Sequence, residues 1–315
     1  MSETANPGIT RLLVTPRWEG ERLDLFLAGT TELSRRGARR LVADGLVRRN
    51  AEVLRVQSRL LETGDIIYVL RSREELGCPR EPALETPTIL HDDRWLLVAA
   101  KPAGVLSQPT DRGPREESSF DQQVLLALAL SEGQRPFLRM VHRLDRMTSG
   151  AVLFARRANT LPALSRAWTD GRVERLYLAV VEGRPSFDAT EIDLPIARDY
   201  GHTWRFHTAP GGKPARTEVR VSARLEEDLT VVLCRLITGR THQVRIHLAS
   251  IGHPVLGDRL YGSRRPGDAG RPLLHAASLA LPHPVSGDPL RVICPPPEDI
   301  RRFLPDGVET PTWSA

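Results

Sequence analysis

The sequence predicts an α+β protein in which a mixed, mainly antiparallel sheet builds a large domain behind a small N-terminal α/β module. Two strand-like runs at 215–225 and 229–238 are separated only by Glu226-Glu227-Asp228, a break typical of a hairpin. A second strand pair is predicted across Asp92-Asp93. Short helical segments, rather than long crossover helices, separate such runs, and this favours antiparallel pairing.

Composition divides the chain into two domains. The block 11–73 contains 13 Arg, no Lys and 8 acidic residues, which is a net charge of +5. Four acidic residues, three prolines and little apolar periodicity over 74–88 indicate an extended linker. We therefore place a tail at 1–10, a small domain at 11–73, a linker at 74–86, a large domain at 87–305 and a tail at 306–315.

The overall composition favours a globular chain that buries a core: 315 residues, 40% of them hydrophobic and 26% charged. No run of about 18 apolar residues occurs and the first ten residues are polar, so we expect no membrane span, no signal peptide and a cytoplasmic location. Cys78, Cys234 and Cys294 lie far apart without Cys-x-x-Cys spacing. This argues against a disulfide framework and a thiolate zinc site.

The charge balance suits a polyanionic partner. The net charge is +5 and the sequence pI is near 9.5. Only Lys101 and Lys213 among the 44 basic residues are lysine. Arginine forms bidentate contacts to phosphate and stacks on bases, but a codon preference of the source genome explains the same bias, so it is weak evidence for RNA binding.

The small domain contains a basic helix. Ser34 is a candidate N-cap for a helix over 35–43 that ends at Gly45. Four arginines form a stripe on one face, opposite an apolar face, and we predict that the stripe binds anions; the alternative is an ordinary solvated face. These arginines are Arg35, Arg36, Arg39 and Arg40.

Asp145 is the candidate reactive group. It lies between Arg143 and Arg146, shortly before the apolar run 151–155, which is predicted to be a buried strand. Neighbouring guanidinium groups stabilise an ionised carboxylate, and such an acid in a cleft can serve as nucleophile or base. The structural alternative is a salt-bridged turn before a core strand.

A resemblance favours the chemical role. His142-Arg143-Leu144-Asp145-x-x-Thr148-Ser149-Gly150 resembles the signature of the RluA-type family of RNA pseudouridine synthases. The likeness extends over roughly 87–305 and implies the pseudouridine synthase fold. Its further motifs are Lys101-Pro102-Ala103-Gly104, Arg175-Leu176-Tyr177, Gly212 to Thr217, Thr238 to Arg245, Gly252 to Asp258 and Leu274-His275-Ala276.

The N-terminal block is similar to the S4 RNA-binding domain. The matching segments are Arg22-Leu23-Asp24, Leu33 to Arg36 and Gly64 to Ile67. One departure is Ala51, which stands where that family usually has Gly after Asn50. A local difference in this turn is expected.

The family resemblance implies a reaction and assigns roles to residues. Pseudouridine formation breaks the bond from uracil N1 to ribose C1′ and joins C5 to C1′, which requires neither a metal nor a cofactor. The resemblance makes Asp145 catalytic, as nucleophile or base, and gives Tyr177 the role of stacking on the target base and handling the C5 proton. It pairs Arg245 with Asp145 across 100 positions.

The resemblance also names residues for RNA contact. Arg143 is expected to enter the space left by the flipped base, because a planar guanidinium stacks well. Arg240 is expected to secure its loop or a phosphate. His142 is grouped with this loop as its support rather than as a proton carrier.

Three alternative functions fit the residues less well. His242, His247 and His253 are too unevenly spaced for a His-x-x-x-His metal site, and a glycosidase lacks a partner acid for Asp145. A noncatalytic RNA-binding or ribosome-assembly protein would leave Asp145 idle. The expected partner is RNA, with large-subunit ribosomal RNA ahead of transfer RNA, and the enzyme is expected to be a monomer that binds no membrane.

Overall fold

The computed structural model describes residues 8–49, 52–76, 86–110, 118–199, 205–265, 270–305 and Trp313. The chain forms two compact units, Met1–Pro87 with Gln108–Leu138, and Thr88–Ser107 with Arg139–Ala315. Residues 108–138 thus belong with the N-terminal unit, whereas the sequence boundaries placed them in the 87–305 domain. The predictions for Asn50, Ala51 and Cys78, and most of the linker, lie outside the described residues.

The N-terminal unit contains a four-stranded antiparallel sheet with the strand order β1-β4-β2-β3. The strands are β1 (Thr10–Leu13), β2 (Val47–Arg49), β3 (Glu52–Val53) and β4 (Ile66–Val69). The helices are α1 (Leu23–Thr30), α2 (Arg35–Ala43), α3 (Arg73–Leu76) and α4 (Phe120–Glu132).

Helix α2 forms as predicted. The Ser34 side chain accepts a hydrogen bond from the Gly37 N–H at 3.2 Å and so caps the first turn. Ala38, Leu41 and Val42 are buried in the core that α1 and the sheet share. The basic residues consequently occupy the opposite, solvated face.

Helix α4 shows why residues 108–138 belong to this unit. The Arg11 Nη2 of β1 donates to the Leu130 carbonyl at 2.8 Å, and the Tyr68 hydroxyl of β4 donates to the Gly133 carbonyl at 2.9 Å. A capping box at Ser119 starts the helix and the left-handed Gly133 ends it. The partners that hold this helix are more than 60 residues away in the chain.

The second unit is built on a ten-stranded sheet. The unit contains twelve described strands, which are β5 (Thr88–Asp92), β6 (Leu96–Lys101), β7 (Arg139–Met140), β8 (Ser149–Ala155), β9 (Glu174–Glu182), β10 (Ala189–Asp193), β11 (Ile196–Arg198), β12 (Phe206–Thr208), β13 (Arg216–Arg224), β14 (Leu229–Leu236), β15 (Leu274–Pro282) and β16 (Pro289–Ile293). Ten of them form the sheet, and β11 and β12 form a separate antiparallel pair. The helices are α5 (Leu161–Thr169), α6 (Gln243–Ser250) and α7 (Glu298–Arg301).

Strand order through the sheet is β10-β13-β14-β9-β15-β8-β6-β5, with β16 paired to β15 and β7 paired to β8. Pairing is antiparallel except between β8 and β15. Gly150 lies at this parallel junction with φ of 129°, and a Cβ there would overlap the backbone of Ala276. A glycine is therefore required where the strand leaving the Asp145 loop enters the sheet.

The predicted antiparallel pairs β5–β6 and β13–β14 are confirmed. Strand β8 is buried along its whole length, as its apolar sequence predicted. The sequence analysis missed β10, β11 and β12, because short, partly exposed strands lack a clear alternating pattern. None of the described helices is both long and apolar enough to cross a membrane.

Candidate active site

A cavity of about 310 Å³ opens where β9, β14 and the start of α6 meet the Asp145 loop. This volume lies at the lower end of the range for small-molecule sites. Asp145 and Tyr177 both line the cavity, so the structure brings together two residues that were predicted to act on one base. Other predicted residues in its wall are His142, Arg143 and Arg240.

The Asp145 loop is fixed by side chains from outside it. Buried Ser107 donates to the Leu144 carbonyl at 2.7 Å and accepts from the Leu144 N–H at 3.1 Å. The Lys101 ammonium donates to the Arg146 carbonyl at 3.1 Å, and Arg271 donates to the Met147 carbonyl at 3.2 Å. The carboxylate is thus held on a loop whose backbone cannot easily shift.

Lys101 is buried, and it also donates to the carbonyls of Pro102 and Val105, both at 2.8 Å. Desolvation lowers the pKa of Lys101 to about 7, and the nearby Asp145 charge opposes that shift. One ammonium group therefore connects the Lys101-Pro102-Ala103-Gly104 turn to the Asp145 loop.

Arg245 approaches Asp145, but its hydrogen-bonded ion pair is with another acid, Asp258. Its Nη1 lies 3.8 Å from Asp145 Oδ2. Its Nε and Nη2 form a bidentate pair with buried Asp258, at 2.6 and 2.8 Å. The expected Arg245–Asp145 pair is present as a longer contact, and the sequence analysis missed the dominant partner. The guanidinium also lies over the Tyr261 ring, 5.0 Å from its centre.

Tyr177 is held on β9 between Cys234 of β14 and Ala276 of β15. Desolvation raises the pKa of its phenol to about 12. The hydroxyl therefore stays protonated near neutral pH.

Arg175 stands two positions before Tyr177. It lies over the Trp168 ring and donates to the Leu236 and Ile237 carbonyls at 3.1 and 3.2 Å. A Cβ at Gly239 would approach Arg175 Nη1 to 2.7 Å, so this glycine leaves room for the guanidinium. The Arg175 guanidinium is therefore packed against Trp168 and bonded to the end of β14.

His142 supports the loop, as expected. Its Nε2 accepts the Leu153 N–H at 3.1 Å, and its ring stacks on Trp168 with centres 4.3 Å apart. Burial lowers the pKa of His142 to about 3, so the ring is neutral at physiological pH. The neutral, stacked imidazole agrees with the expected loop support, and the grouping of His142 with the RNA-contacting residues stays a prediction.

Arg143 and Arg240 lie at the exposed part of the cavity wall. Arg143 has no ion pair or hydrogen bond to any other residue that the structure describes. The Arg240 Nε donates to the Pro214 carbonyl at 3.0 Å, which supports the predicted loop-securing role. Buried Gln243 reinforces that loop by accepting from the Arg240 N–H at 3.0 Å.

The arginine stripe of α2 is not uniformly available to anions. Arg35 and Arg39, with Arg22, converge on the fully buried carboxylate of Asp24 at 3.1, 2.8 and 2.9 Å. The hydrogen bond from Arg22, joined by those from Arg39 and Arg35, lowers the pKa of Asp24. Two of the four arginines in the predicted anion site thus also bind an internal acid, whereas Arg36 and Arg40 do not bind Asp24, and the four-arginine site stays a prediction.

The alternative of a histidine metal site was rejected on spacing, and among the described residues no group of three His, Cys, Asp or Glu side chains could hold a metal ion. Buried His247 contacts Thr217 and the Leu194 carbonyl, and His253 contacts the Glu182 carbonyl. The three histidines therefore face different partners.

Several residues of the site were not singled out from sequence. Asp258 is the last residue of the Gly252-to-Asp258 motif, Tyr261 lies three positions after it, and Lys101 begins another motif. Membership of a motif, or closeness to one, could therefore have pointed to these three residues. Ser107, Trp168 and Arg271 lie outside the quoted motifs, and only tertiary contacts reveal their roles.

Residues 95–250 match the RNA pseudouridylate synthase family. An RNA pseudouridine synthase of Synechocystis is 35% identical over 301 residues, which cover 90% of this chain and 88% of the relative. The chain belongs to the RluA-type RNA pseudouridine synthases. It is an isomerase, and the cavity around Asp145 is the candidate site at which this synthase converts uridine to pseudouridine.

Other relatives carry more specific names. The ribosomal large subunit pseudouridine synthase D of Xanthomonas campestris is 32% identical, over 96% of this chain and 94% of that protein. Its namesake from Nitrosomonas europaea is 35% identical, over 76% and 71%. The solved structure of human RNA pseudouridylate synthase domain containing 1 aligns with a TM-score of 0.57 at 25% identity, covering 69% of this chain and 86% of that one. The fold of the synthase is that of pseudouridylate synthases.

Proposed function

We propose that the enzyme isomerises uridines of large-subunit ribosomal RNA and that Asp145 is the carboxylate that acts at the ribose. The names of the Xanthomonas and Nitrosomonas relatives support the ribosomal substrate. The observation that carries the assignment of Asp145 is its position in the cavity wall, facing Tyr177, on a loop that Lys101 and Ser107 hold. Such fixed placement favours reaction at one atom of a bound nucleotide.

Tyr177 is proposed to stack on the extruded uracil. Because burial raises the pKa of its phenol to about 12, the residue offers an aromatic face and an O–H donor rather than a phenolate base. Arg143, exposed at the rim, is proposed to fill the gap that the extruded base leaves in the RNA stack. The basic N-terminal unit is proposed to bind RNA in the manner of an S4 domain, through Arg36 and Arg40 among others.

The ribosomal assignment is tested by mapping pseudouridines in total RNA from cells with and without the gene. Loss of one or more sites in large-subunit RNA is expected. Loss confined to transfer RNA would favour the second candidate substrate and overturn the ribosomal proposal. The cytoplasmic location and the monomeric state stay predictions.

The role of Asp145 is tested with Asp145→Asn, which removes the ionisable group with little change in volume. We expect pseudouridine formation on the mapped RNA to be abolished while RNA affinity stays within about twofold of wild type. Asp258→Asn is not a suitable control because it breaks the pair with Arg245, whereas Asp188→Asn changes an exposed acid. Turnover by Asp145→Asn at the wild-type rate would remove Asp145 from the mechanism.

A further inference from the structure

His242 has an unusual backbone conformation at the cavity wall. It precedes α6 with φ of 57° and ψ of 18°, in the left-handed region. The other described non-glycine residues with positive φ are Glu227 and Asp228, in the turn between β13 and β14. Strained residues of this kind persist where the surrounding structure holds them, and they cluster at functional sites.

The hydrogen-bond partners of His242 determine which ring nitrogen carries the proton. Nδ1 lies 2.7 Å from the Tyr261 hydroxyl oxygen, and that oxygen accepts the Phe206 N–H at 3.3 Å. Within the described parts of the chain, the Tyr261 O–H has no other acceptor than Nδ1. When Tyr261 donates to Nδ1, the proton of the neutral imidazole resides on Nε2.

The protonated nitrogen faces the reactive acid. His242 Nε2 lies 3.9 Å from Asp145 Oδ2, the same oxygen that Arg245 Nη1 approaches to 3.8 Å. Both distances exceed a hydrogen bond, and catalytic contacts of this kind commonly tighten when substrate binds. Desolvation is the main cause that lowers the pKa of His242, so the ring is a neutral donor near pH 7.

We propose that His242 is a positioning residue whose Nε2–H donates to the Asp145 carboxylate in the RNA-bound enzyme, and that Tyr261 fixes the tautomer that makes this possible. A neutral imidazole N–H orients the carboxylate and supports its negative charge. It is too weak an acid to transfer its proton to the carboxylate. Arg245 offers the same oxygen only its Nη1, because Asp258 already holds its Nε and Nη2. The inference rests on the proposed role of Asp145.

The tautomer is tested directly in the full-length enzyme labelled with ¹⁵N-histidine. Comparison with the spectrum of His242→Gln assigns the signals of His242. At pH 7.5 we expect a protonated Nε2 and an unprotonated Nδ1 in the wild type, and a loss of this preference in Tyr261→Phe. A protonated Nδ1 in the wild type would overturn the proposal, whatever the activity of any variant.

The positioning role is tested by single-turnover kinetics on the RNA that the mapping identifies. His242→Leu should reduce the rate constant at saturating enzyme on the order of 10- to 100-fold, with RNA affinity unchanged, and His242→Gln should recover part of it through its amide donor. His207→Leu, an exposed histidine on β12, serves as the matched control. A His242→Leu rate equal to that of the control, or a loss confined to affinity, would refute positioning.

The two proposals fail in different ways. If Asp145 is not the reacting group, Asp145→Asn stays active although the His242 tautomer is as predicted. If Asp145 reacts but His242 does not position it, Asp145→Asn is inactive while His242→Leu and His207→Leu are equally fast. If the His242→Leu protein fails to fold, the ¹⁵N measurement of the tautomer and the Tyr261→Phe variant decide. In Tyr261→Phe the single-turnover rate should fall together with the loss of the Nε2–H form.

Discussion

At the scale of single residues, Arg245 is shared unequally between two acids. Asp258 takes two of its donors at 2.6 and 2.8 Å, while Asp145 lies 3.8 Å from the third nitrogen. The Arg245–Asp258 pair is almost completely buried, so each charge depends on the other for compensation. Arg245 therefore contributes to the fold and to the field at Asp145, and a single substitution alters both.

These two contributions can be separated with a second substitution. Arg245→Leu strands the buried Asp258 carboxylate and should lower the free energy of unfolding by about 3 kcal/mol. Adding Asp258→Asn removes the stranded charge and should restore part of that stability without restoring activity, because Asp145 still lacks its cation. Urea unfolding and pseudouridine formation measure the two effects.

The wild-type, single and double variants should be compared at pH 7 and pH 9. If Arg245 supports the charge of Asp145, the double variant should stay below the wild-type rate at both pH values. A double variant as active as wild type at pH 7 would contradict the idea that Arg245 supports Asp145.

At the scale of elements, His275 joins three segments around the base of the Asp145 loop. Its Nε2–H donates to the Cys294 carbonyl at 2.9 Å, which leaves Nδ1 to accept the Ser149 hydroxyl at 2.9 Å. The ring thereby links β15 to β8 and to the residue that follows β16. Burial lowers the pKa of His275 to about 4, because a charged ring would be desolvated there. The linkage requires the neutral form.

This linkage predicts a loss of stability in acid. The folded pKa of His275 is below its ordinary value of 6.5, so between pH 6.5 and 4 the unfolded chain binds a proton that the folded chain does not. Stability is therefore fully present above pH 6.5 and falls as the pH decreases, by about 2 kcal/mol at pH 5 from this group. His275→Gln should show a smaller difference in unfolding free energy between pH 7 and pH 5. An unchanged pH dependence in this variant would show that His275 is not responsible.

At the scale of the whole molecule, the positive charge is concentrated in one part of the sequence. Residues 11–73 carry a net charge of +5, which equals the net charge of the complete chain. Within this block, Asp24 binds three arginines internally, so exposed residues such as Arg36 and Arg40 are left to meet phosphate. Arg40 has only a 4.0 Å contact with Asp44, and 86% of its side chain is exposed.

The salt dependence of RNA binding tests this distribution. The double variant Arg36→Ala, Arg40→Ala should reduce the slope of log affinity against log salt concentration by about 1 for each phosphate that these arginines neutralise in the wild type. The double variant Arg301→Ala, Arg302→Ala at α7 removes the same charge elsewhere and should leave the slope closer to wild type. Equal slopes for both double variants would contradict specific RNA binding by α2. Deleting 1–73 is a less suitable test, because it removes Arg11 and Tyr68, which donate hydrogen bonds to the end of α4.

Local sequence patterns were sufficient to predict several of the elements and to single out Asp145 as the candidate reacting group. The Ser34 cap and the apolar spacing of α2 and α6 favour helices wherever they occur, because capping and periodicity act over a few neighbouring residues. Motif likeness identified the family and predicted one site for Asp145, Tyr177 and Arg245.

Tertiary packing, by contrast, selected which groups meet and in what protonation state. Asp258 binds Arg245, Asp24 binds Arg35 and Arg39, and the Tyr261 hydroxyl lies against His242 Nδ1. These outcomes depend on burial, which makes an unpaired charge or donor costly and so selects partners from distant parts of the chain. No local pattern encodes that selection, because it exists only once the sheet and its loops have assembled.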